Sequence, residues 1–333
     1  MKNFKIDIVY LWVDGADKKW RTQKEKWFKK LTGKEFLRKD SVAAERFRDN
    51  DDLKYSLRSV AECAPWVNHI YIITGFNQKP KWLNTKHKKI TIIPDAEIMP
   101  NSALPTFNSA AIEKCIPNIP RLSEHFLLMN DDMFFNKKLS PLYFFDNNGN
   151  ARYVYSSAHK LTDKELNQCS SYQSQIYFAQ QAISNLYNKN FFKYAPSHGI
   201  DPYIKSSMIK CLNEPNLHNA FQEQICNRFR TANEFQRFIF NLYDFANGRA
   251  QFIHARAKKY GRHTFLNILY NTVHMRAIRN SNVYVSNVVN KEKILRRAPT
   301  FCINDGPEND IDILKQNREF LESRFPNKCE FEK

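Results

Sequence analysis

Apolar residues run almost unbroken from Lys5 to Val13 and stop at Asp14-Gly15. That pattern predicts a buried strand closed by a turn. A polar, lysine-rich segment from about 17 to 31 then reads as a helix. Leu53, Leu57 and Val60 share one helical face, with Asp49, Asn50 and Asp51 around its start, where carboxylates suit the helix dipole. Residues 69–74 and 90–93 read as strands, and Pro80–Leu83 as a turn between them. The stretch 104–112 looks like a loop entering a helix, capped by Asn108 or Ser109. A short apolar strand, 125–129, runs directly into Asn130-Asp131-Asp132. Strands alternating with helices predict an α/β fold with a doubly wound, mostly parallel sheet. Ligands of such sheets bind beyond the carboxyl ends of the strands, where Asp14 and Asn130-Asp131-Asp132 are expected.

After about Tyr155 the pattern becomes mainly helical, with candidate helices at 173–188, 201–212, 215–227, 232–246 and 286–296. A strand at 300–304 runs into Asn304-Asp305, and a last helix is expected at about 309–323. There is no internal repeat and no long linker. The reading is therefore an α/β part, 1–155, and a mainly helical part, 156–333, sharing one cleft.

Composition narrows the class. Hydrophobic residues at 42% and charged residues at 26% fit a globular chain and exclude a disordered, collagenous or coiled-coil one. With only 8 glycines there is no G-x-G-x-x-G or Walker sequence, so a glycine-rich phosphate loop is not expected. No apolar run reaches the roughly 18–20 residues of a membrane span. The first residues lead straight into a strand pattern, without the apolar core of a signal peptide. Seven scattered cysteines without C-x-x-C spacing fit a reducing compartment. The expected location is the cytoplasm, with peripheral contact at the inner membrane face.

The net charge of +17 points to an anionic partner. It is concentrated: residues 249–297 hold eleven Lys and Arg against one acid, Glu292. His254, His263 and His274 lie in this stretch, but their spacing is not that of a zinc site. The stretch reads either as a solvated face or as a surface for a polyanion or anionic lipid.

The sharpest chemical signal is Asn130-Asp131-Asp132. Two carboxylates delivered by an apolar strand can hold Mg²⁺ or Mn²⁺, although Asn-Asp is also ordinary turn chemistry. Asp14 can contact a nucleotide or simply end its strand. Asp49–Asp52 can cap a helix or line a site. His198, in a Pro- and Gly-flanked loop, is placed as a general base, yet a lone His is often structural. Arg228 and Arg230, with Glu234 nearby, can bind phosphate or form a helix-end salt bridge.

Several ordered strings resemble the Stealth family of sugar-1-phosphate transferases. Ile8–Asp17 resembles its first block. Arg48–Val60, Ala64–Val67, Pro80–Asn84, Leu104–Ser109, Ala111–Glu113 and Leu128–Phe134 follow its second. Pro196–Asp201 and Arg230–Gln236 resemble the third, and Cys302–Asp305 the fourth. The resemblance implies that Asp14, Arg48, Asp49, Asn50, Asn108, Arg228 and Asn304 bind substrate. It implies an acidic pair, Asp131 and Asp132, holding a metal and contributing to catalysis. His198 would act as base on the acceptor hydroxyl, and Arg230 would bind the transferred phosphate. Asp305 is a further candidate metal ligand, although Gly306 stands where that block often has a second acid.

The implied reaction transfers a sugar-1-phosphate, expected to be an N-acetylhexosamine-1-phosphate, from a UDP-sugar to a hydroxyl of a growing anionic glycan. UMP leaves and a phosphodiester forms, in capsule or exopolysaccharide biosynthesis with Mg²⁺ or Mn²⁺ as cofactor and capsule machinery as a contact. Two alternatives remain at this level. One is a metal-dependent glycosyltransferase releasing UDP. The other is a nucleic-acid-binding protein, for which no recognisable motif is present and nucleic acid is not expected.

Overall fold

The computed structural model describes residues 4–31, 44–197, 199–254, 280–284, 298–304 and 311–333. In chain order the longer elements are β1 (Ile6–Trp12), α1 (Lys18–Leu31), α2 (Asp52–Cys63), β2 (Ile70–Thr74), β3 (Ile90–Pro94), α3 (Asp95–Ile98), α4 (Ser109–Cys115), β4 (His125–Asn130) and β5 (Met133–Phe135). There follow β6 (Ala151–Ser157), α5 (Asp163–Gln168), α6 (Ser171–Tyr187), β7 (Tyr194–Pro196), β8 (Asp201–Ile204), α7 (Lys205–Leu212), α8 (His218–Ile225) and α9 (Phe238–Ala246). The last are β9 (Ala250–His254), β10 (Asn280–Tyr284), β11 (Thr300–Asn304) and α10 (Ile311–Arg324).

The architecture is mixed α/β. The main sheet has the order β3-β2-β1-β4-β8. Its first four strands are parallel and β8 is antiparallel to β4. Continuous apolar strands follow from burial on both faces. On one face Val9, Tyr71, Ile73 and Leu128 pack with residues of α4, α6 and α9. On the other, Ile8, Tyr10, Ile72 and Met129 pack with Leu53, Leu57 and Val60 of α2, the periodic face read from sequence. Asp7, fully buried within β1, is satisfied by the Asn68 Nδ2 and the Ser123 N–H, both at 2.7 Å.

Register aligns the carboxyl ends of the strands. Leu11 pairs with Asn130, Trp12 with Thr74, and Thr74 with Pro94. The residues just after these ends therefore share one rim. Among the described residues no helix is long and apolar enough to cross a membrane.

Several elements differ from the sequence expectation: β6, β7, β9 and β10 are not among the expected strands, and the part after 155, expected to be mainly helical, supplies β7 and β9 to a sheet with β6, and β10 and β11 to a sheet with β5. Residues 201–204 form β8 rather than the start of a helix, because this buried segment completes the sheet beside β4. Pro202 is tolerated there because β8 is an edge strand. Helix α9 starts at Phe238 rather than near 232, because the buried Glu234 gathers the preceding segment into a loop. Met133–Phe135, which carries no strand period of its own, forms β5 against β11. The expected helix at 286–296 lies outside the described residues, as do His263 and His274.

Candidate functional site

The acidic turn is held from several sides. In α2, Ser56 donates to the Met133 carbonyl at 2.5 Å and Ser59 accepts the Phe135 N–H at 3.0 Å. Tyr10 of β1 is hydrogen-bonded to Ser56 at 2.8 Å. From β11, the Ile303 N–H donates to the Asp132 carbonyl at 3.0 Å. Asp131 and Asp132 are thus fixed between β4 and β5 by neighbours remote in sequence.

They line a cavity of about 650 Å³ over the carboxyl ends of the strands. Arg48, Asn50, Asp52, Asn108 and Arg230 also line it, as do Asp95, Glu113 and Arg237. An aromatic shoulder of Trp20, Phe47 and Phe107 completes the lining, with Trp20 edge-on to Phe107 at 5.4 Å. The Arg46–Arg48 backbone reaches the cavity by passing close over Gly15. A Cβ there would lie 2.3 Å from the Phe47 carbonyl oxygen, so the Asp14-Gly15 turn needs its glycine.

Carboxylates crowd one part of the wall. Desolvation pushes Asp131 above the usual carboxylate range, and repulsion from Asp132 and Asp49 adds to it. Desolvation likewise raises Asp52, reinforced by Asp131, Asp132 and Asp49. Asp49 is raised by desolvation and by Asp14. A set of oxygen donors that repel one another suits a hard divalent cation. Among the described residues no three His, Cys, Asp or Glu side chains form a cluster able to enclose an ion. One or two carboxylates completed by substrate phosphates is the arrangement Mg²⁺ commonly accepts.

Cationic side chains stand in the same cavity. Arg230 Nη2 donates to Ser109 Oγ. Its segment is anchored by Glu234, fully buried, which accepts from Asn108 Nδ2 at 3.0 Å and Asn227 Nδ2 at 2.9 Å. Burial pushes Glu234 up, and the buried Lys114 ammonium opposes that. Arg237 is 6% exposed. Its Nη1 donates to Glu113 Oε1 and Asn130 Oδ1, both at 3.1 Å, and Asp201 Oδ2 lies 3.6 Å from Nη2. This cation ties α4, the end of β4 and β8 together at the start of the acidic turn. Burial raises Asp201 to about 7, against the pull of Arg237.

The sequence candidates separate accordingly. Arg48, Asn50, Asn108, Asp131, Asp132 and Arg230 converge on the cavity. Asn108 does so as the cap of α4: its Oδ1 accepts the Ala110 N–H while its Nδ2 serves Glu234. Asp14 and Asp49 stand beside the lining rather than in it. Asp14 Oδ1 accepts the Ala16 N–H in a turn, and Gln78 pairs with both the N–H and the carbonyl of Asp14, at 3.0 and 2.9 Å. Of the acids at the start of α2, the N-cap residue Asp51 makes no side-chain cap, whereas Asp52 faces the cavity. Arg228 is engaged elsewhere, donating to the Ser102 and Leu104 carbonyls and lying 4.0 Å over the Trp27 ring.

His198 and Asp305 lie outside the described residues, and of Asn304 only the strand placement is described. Asp201, three residues beyond His198, pairs with Leu128 of β4. Arg237, Glu113 and Asp95 were not singled out as site residues. Asp95 had a signal, an acid directly after an apolar strand. Arg237 had none, since its partners come from three distant segments.

Residues 4–31 match the model of Stealth protein conserved region 1, and residues 46–153 that of conserved region 2. The chain is 34% identical over 369 aligned positions to the exopolysaccharide phosphotransferase cps2G of Lactiplantibacillus plantarum, covering 99% of this chain and 97% of that protein. It is 43% identical over 162 positions to the capsular polysaccharide phosphotransferase cps12A of Actinobacillus pleuropneumoniae, covering 48% of this chain and 43% of that one. The capsular polysaccharide phosphotransferase LcbA of Neisseria meningitidis is 42% identical over 147 positions, 44% of this chain and 39% of that protein. Among solved structures the galactosyltransferase LgtC, in complex with donor and acceptor sugar analogs, is similar at a TM-score of 0.44 and 12% identity, covering 96% of this chain and 95% of that one.

Proposed function

We propose, from the premise that the chain belongs to the Stealth family of exopolysaccharide and capsular polysaccharide phosphotransferases, that it moves a sugar-1-phosphate from a UDP-sugar onto a hydroxyl of a growing glycan. The observation that carries this reading is the pairing, in one cavity, of a crowded carboxylate turn with the arginines Arg48, Arg230 and Arg237. Phosphoryl transfer asks mainly for positioning and charge neutralisation, and this lining offers both. We read the sheet, with helices packed on each face, as the doubly wound frame of a nucleotide-sugar transferase.

In this scheme the acceptor hydroxyl oxygen attacks the β-phosphorus of the donor. The bond from that phosphorus to the bridging oxygen breaks, UMP leaves with that oxygen, and a phosphodiester remains. Arg230 binds the transferring phosphoryl group and offsets its charge. His198 takes the hydroxyl proton, with Asp131 or Asp132 as the alternative base. Asp131 and Asp132 would hold Mg²⁺ or Mn²⁺, which when bound neutralises charge on the donor phosphates. Arg237 keeps Asn130 and Glu113 in place beside the acidic turn. The donor sugar is an N-acetylhexosamine, the acceptor an anionic glycan held by the basic stretch 249–297, and the reaction cytoplasmic.

Products test it. Incubation with UDP-N-acetylglucosamine, Mg²⁺ and a capsule oligosaccharide should release UMP, yield a new phosphodiester ³¹P signal, and fail with Asp132→Ala. Release of UDP with a phosphate-free product would assign a glycosyltransferase instead.

A further inference from the structure

Asp95 stands at the carboxyl end of β3, in the wall of the same cavity. It is 6% exposed. Its carboxyl accepts the Ala96 N–H, and among the described residues no side chain donates to it. Burial raises it to about 6, so at neutral pH it is mainly an ionised, acceptor-only group. A buried carboxylate with acceptor capacity to spare calls for a donor from whatever fills the cavity.

Gly75, at the end of the neighbouring β2, keeps that face open. A Cβ there would stand 3.3 Å from Asp95 Oδ2. The apolar side chains of Leu11 and Ile73 line the cavity beside it and offer flat contact to a ring. Position sets the scale. In the order β3-β2-β1-β4, Asp95 and the acidic turn are three strand spacings apart, about 14 Å. An extended nucleoside diphosphate spans a similar length between its base and its β-phosphate.

We propose that Asp95, exposed to the cavity by Gly75, accepts the imide N–H of a uracil base and so selects the donor nucleotide. This rests on the phosphotransferase reading above and specifies its donor end. Uracil presents a ring N–H where cytosine presents a lone pair, so a carboxylate attracts the first and repels the second. With the Ala96 N–H already on the carboxyl, one imide N–H adds a second donor, and the discrimination the carboxyl supplies is against cytosine.

Isothermal titration of the full chain with UDP, CDP and GDP in Mg²⁺ buffer tests this. Wild type should bind UDP about 10- to 100-fold more tightly than CDP. Asp95→Asn should cut the UDP-over-CDP ratio at least about tenfold, because an amide can also donate to cytosine. Gly75→Val keeps the Asp95 carboxyl but crowds it and fills the space before it, and should lose the same preference. Melting curves will show that the variants fold. An unchanged ratio in both variants, with UDP still bound, would overturn the base site and leave the phosphotransferase reading standing. A wild-type preference for GDP would also overturn it. Failure of wild type to bind UDP at all would overturn both.

Discussion

Arg230 is the residue whose removal should be most informative. Its guanidinium reaches the cavity from a loop and is oriented by Ser109. Loss of one preorganised charged donor to a transferring group typically costs about 10²–10³-fold in kcat. Arg230→Ala should show that loss in steady-state assays of UMP release, with donor KM changed far less. Arg230→Lys should recover little, since an ammonium cannot reproduce the planar fork. That Arg230, Asp131 and Asp132 share one cavity was legible in the sequence, because each sits in a local string that can be compared with a family. Arg237 was not, because its role comes from Glu113, Asn130 and Asp201 meeting in space. The Asp49–Asp52 cluster allowed a cap or a site residue, and side-chain direction, which sequence does not give, separates Asp51 from Asp52.

Elements act through what they hold. The loop between α8 and α9 is folded around Glu234, with Lys114 of α4 as its buried countercharge. Removing the Glu234 carboxylate leaves donors of the buried Asn108 and the half-buried Asn227 unpaired, at about 1–3 kcal/mol each. Glu234→Ala should therefore lower unfolding free energy by about that much in urea titrations, and should also depress kcat by releasing Arg230. Full activity in a destabilised Glu234→Ala protein would contradict the anchoring role. The main parallel strands were legible because runs such as Ile70–Thr74 are short, apolar and bounded by turn residues. Strand β8 was hidden because its neighbours continue into a true helix, α7, and only pairing with β4 reveals the boundary. Strand β5 was hidden for the same reason: three residues carry no period, and β11 defines them.

At the scale of the whole molecule, buried acids and excess positive charge set the response to conditions. Asp244 is 3% exposed, accepts from Ser207, and is flanked by Arg249 and Glu124. Burial raises its carboxyl to about 7 in the folded chain. The folded state then binds more protons than the unfolded state between about pH 4 and 7. This contribution to stability is complete below about pH 4 and is lost as pH rises through 7. Melting temperature should fall across that window, and Asp244→Asn should flatten the slope. The charge of +17 should make long anionic acceptors salt-sensitive. Raising salt from about 0.05 to 0.5 M should cut activity on a long capsule chain but leave a short neutral acceptor nearly unaffected. The excess of positive charge was legible from composition alone; the cavity needed the strand register.

The central claim is that the bond broken lies between the two phosphorus atoms of the donor rather than between sugar and phosphate. UDP-N-acetylglucosamine labelled with ³²P at the β-phosphate decides it in one step, with the glycan separated from nucleotides after turnover. The account predicts label in the glycan and unlabelled UMP. Label retained in UDP, with sugar but no ³²P in the glycan, would contradict it.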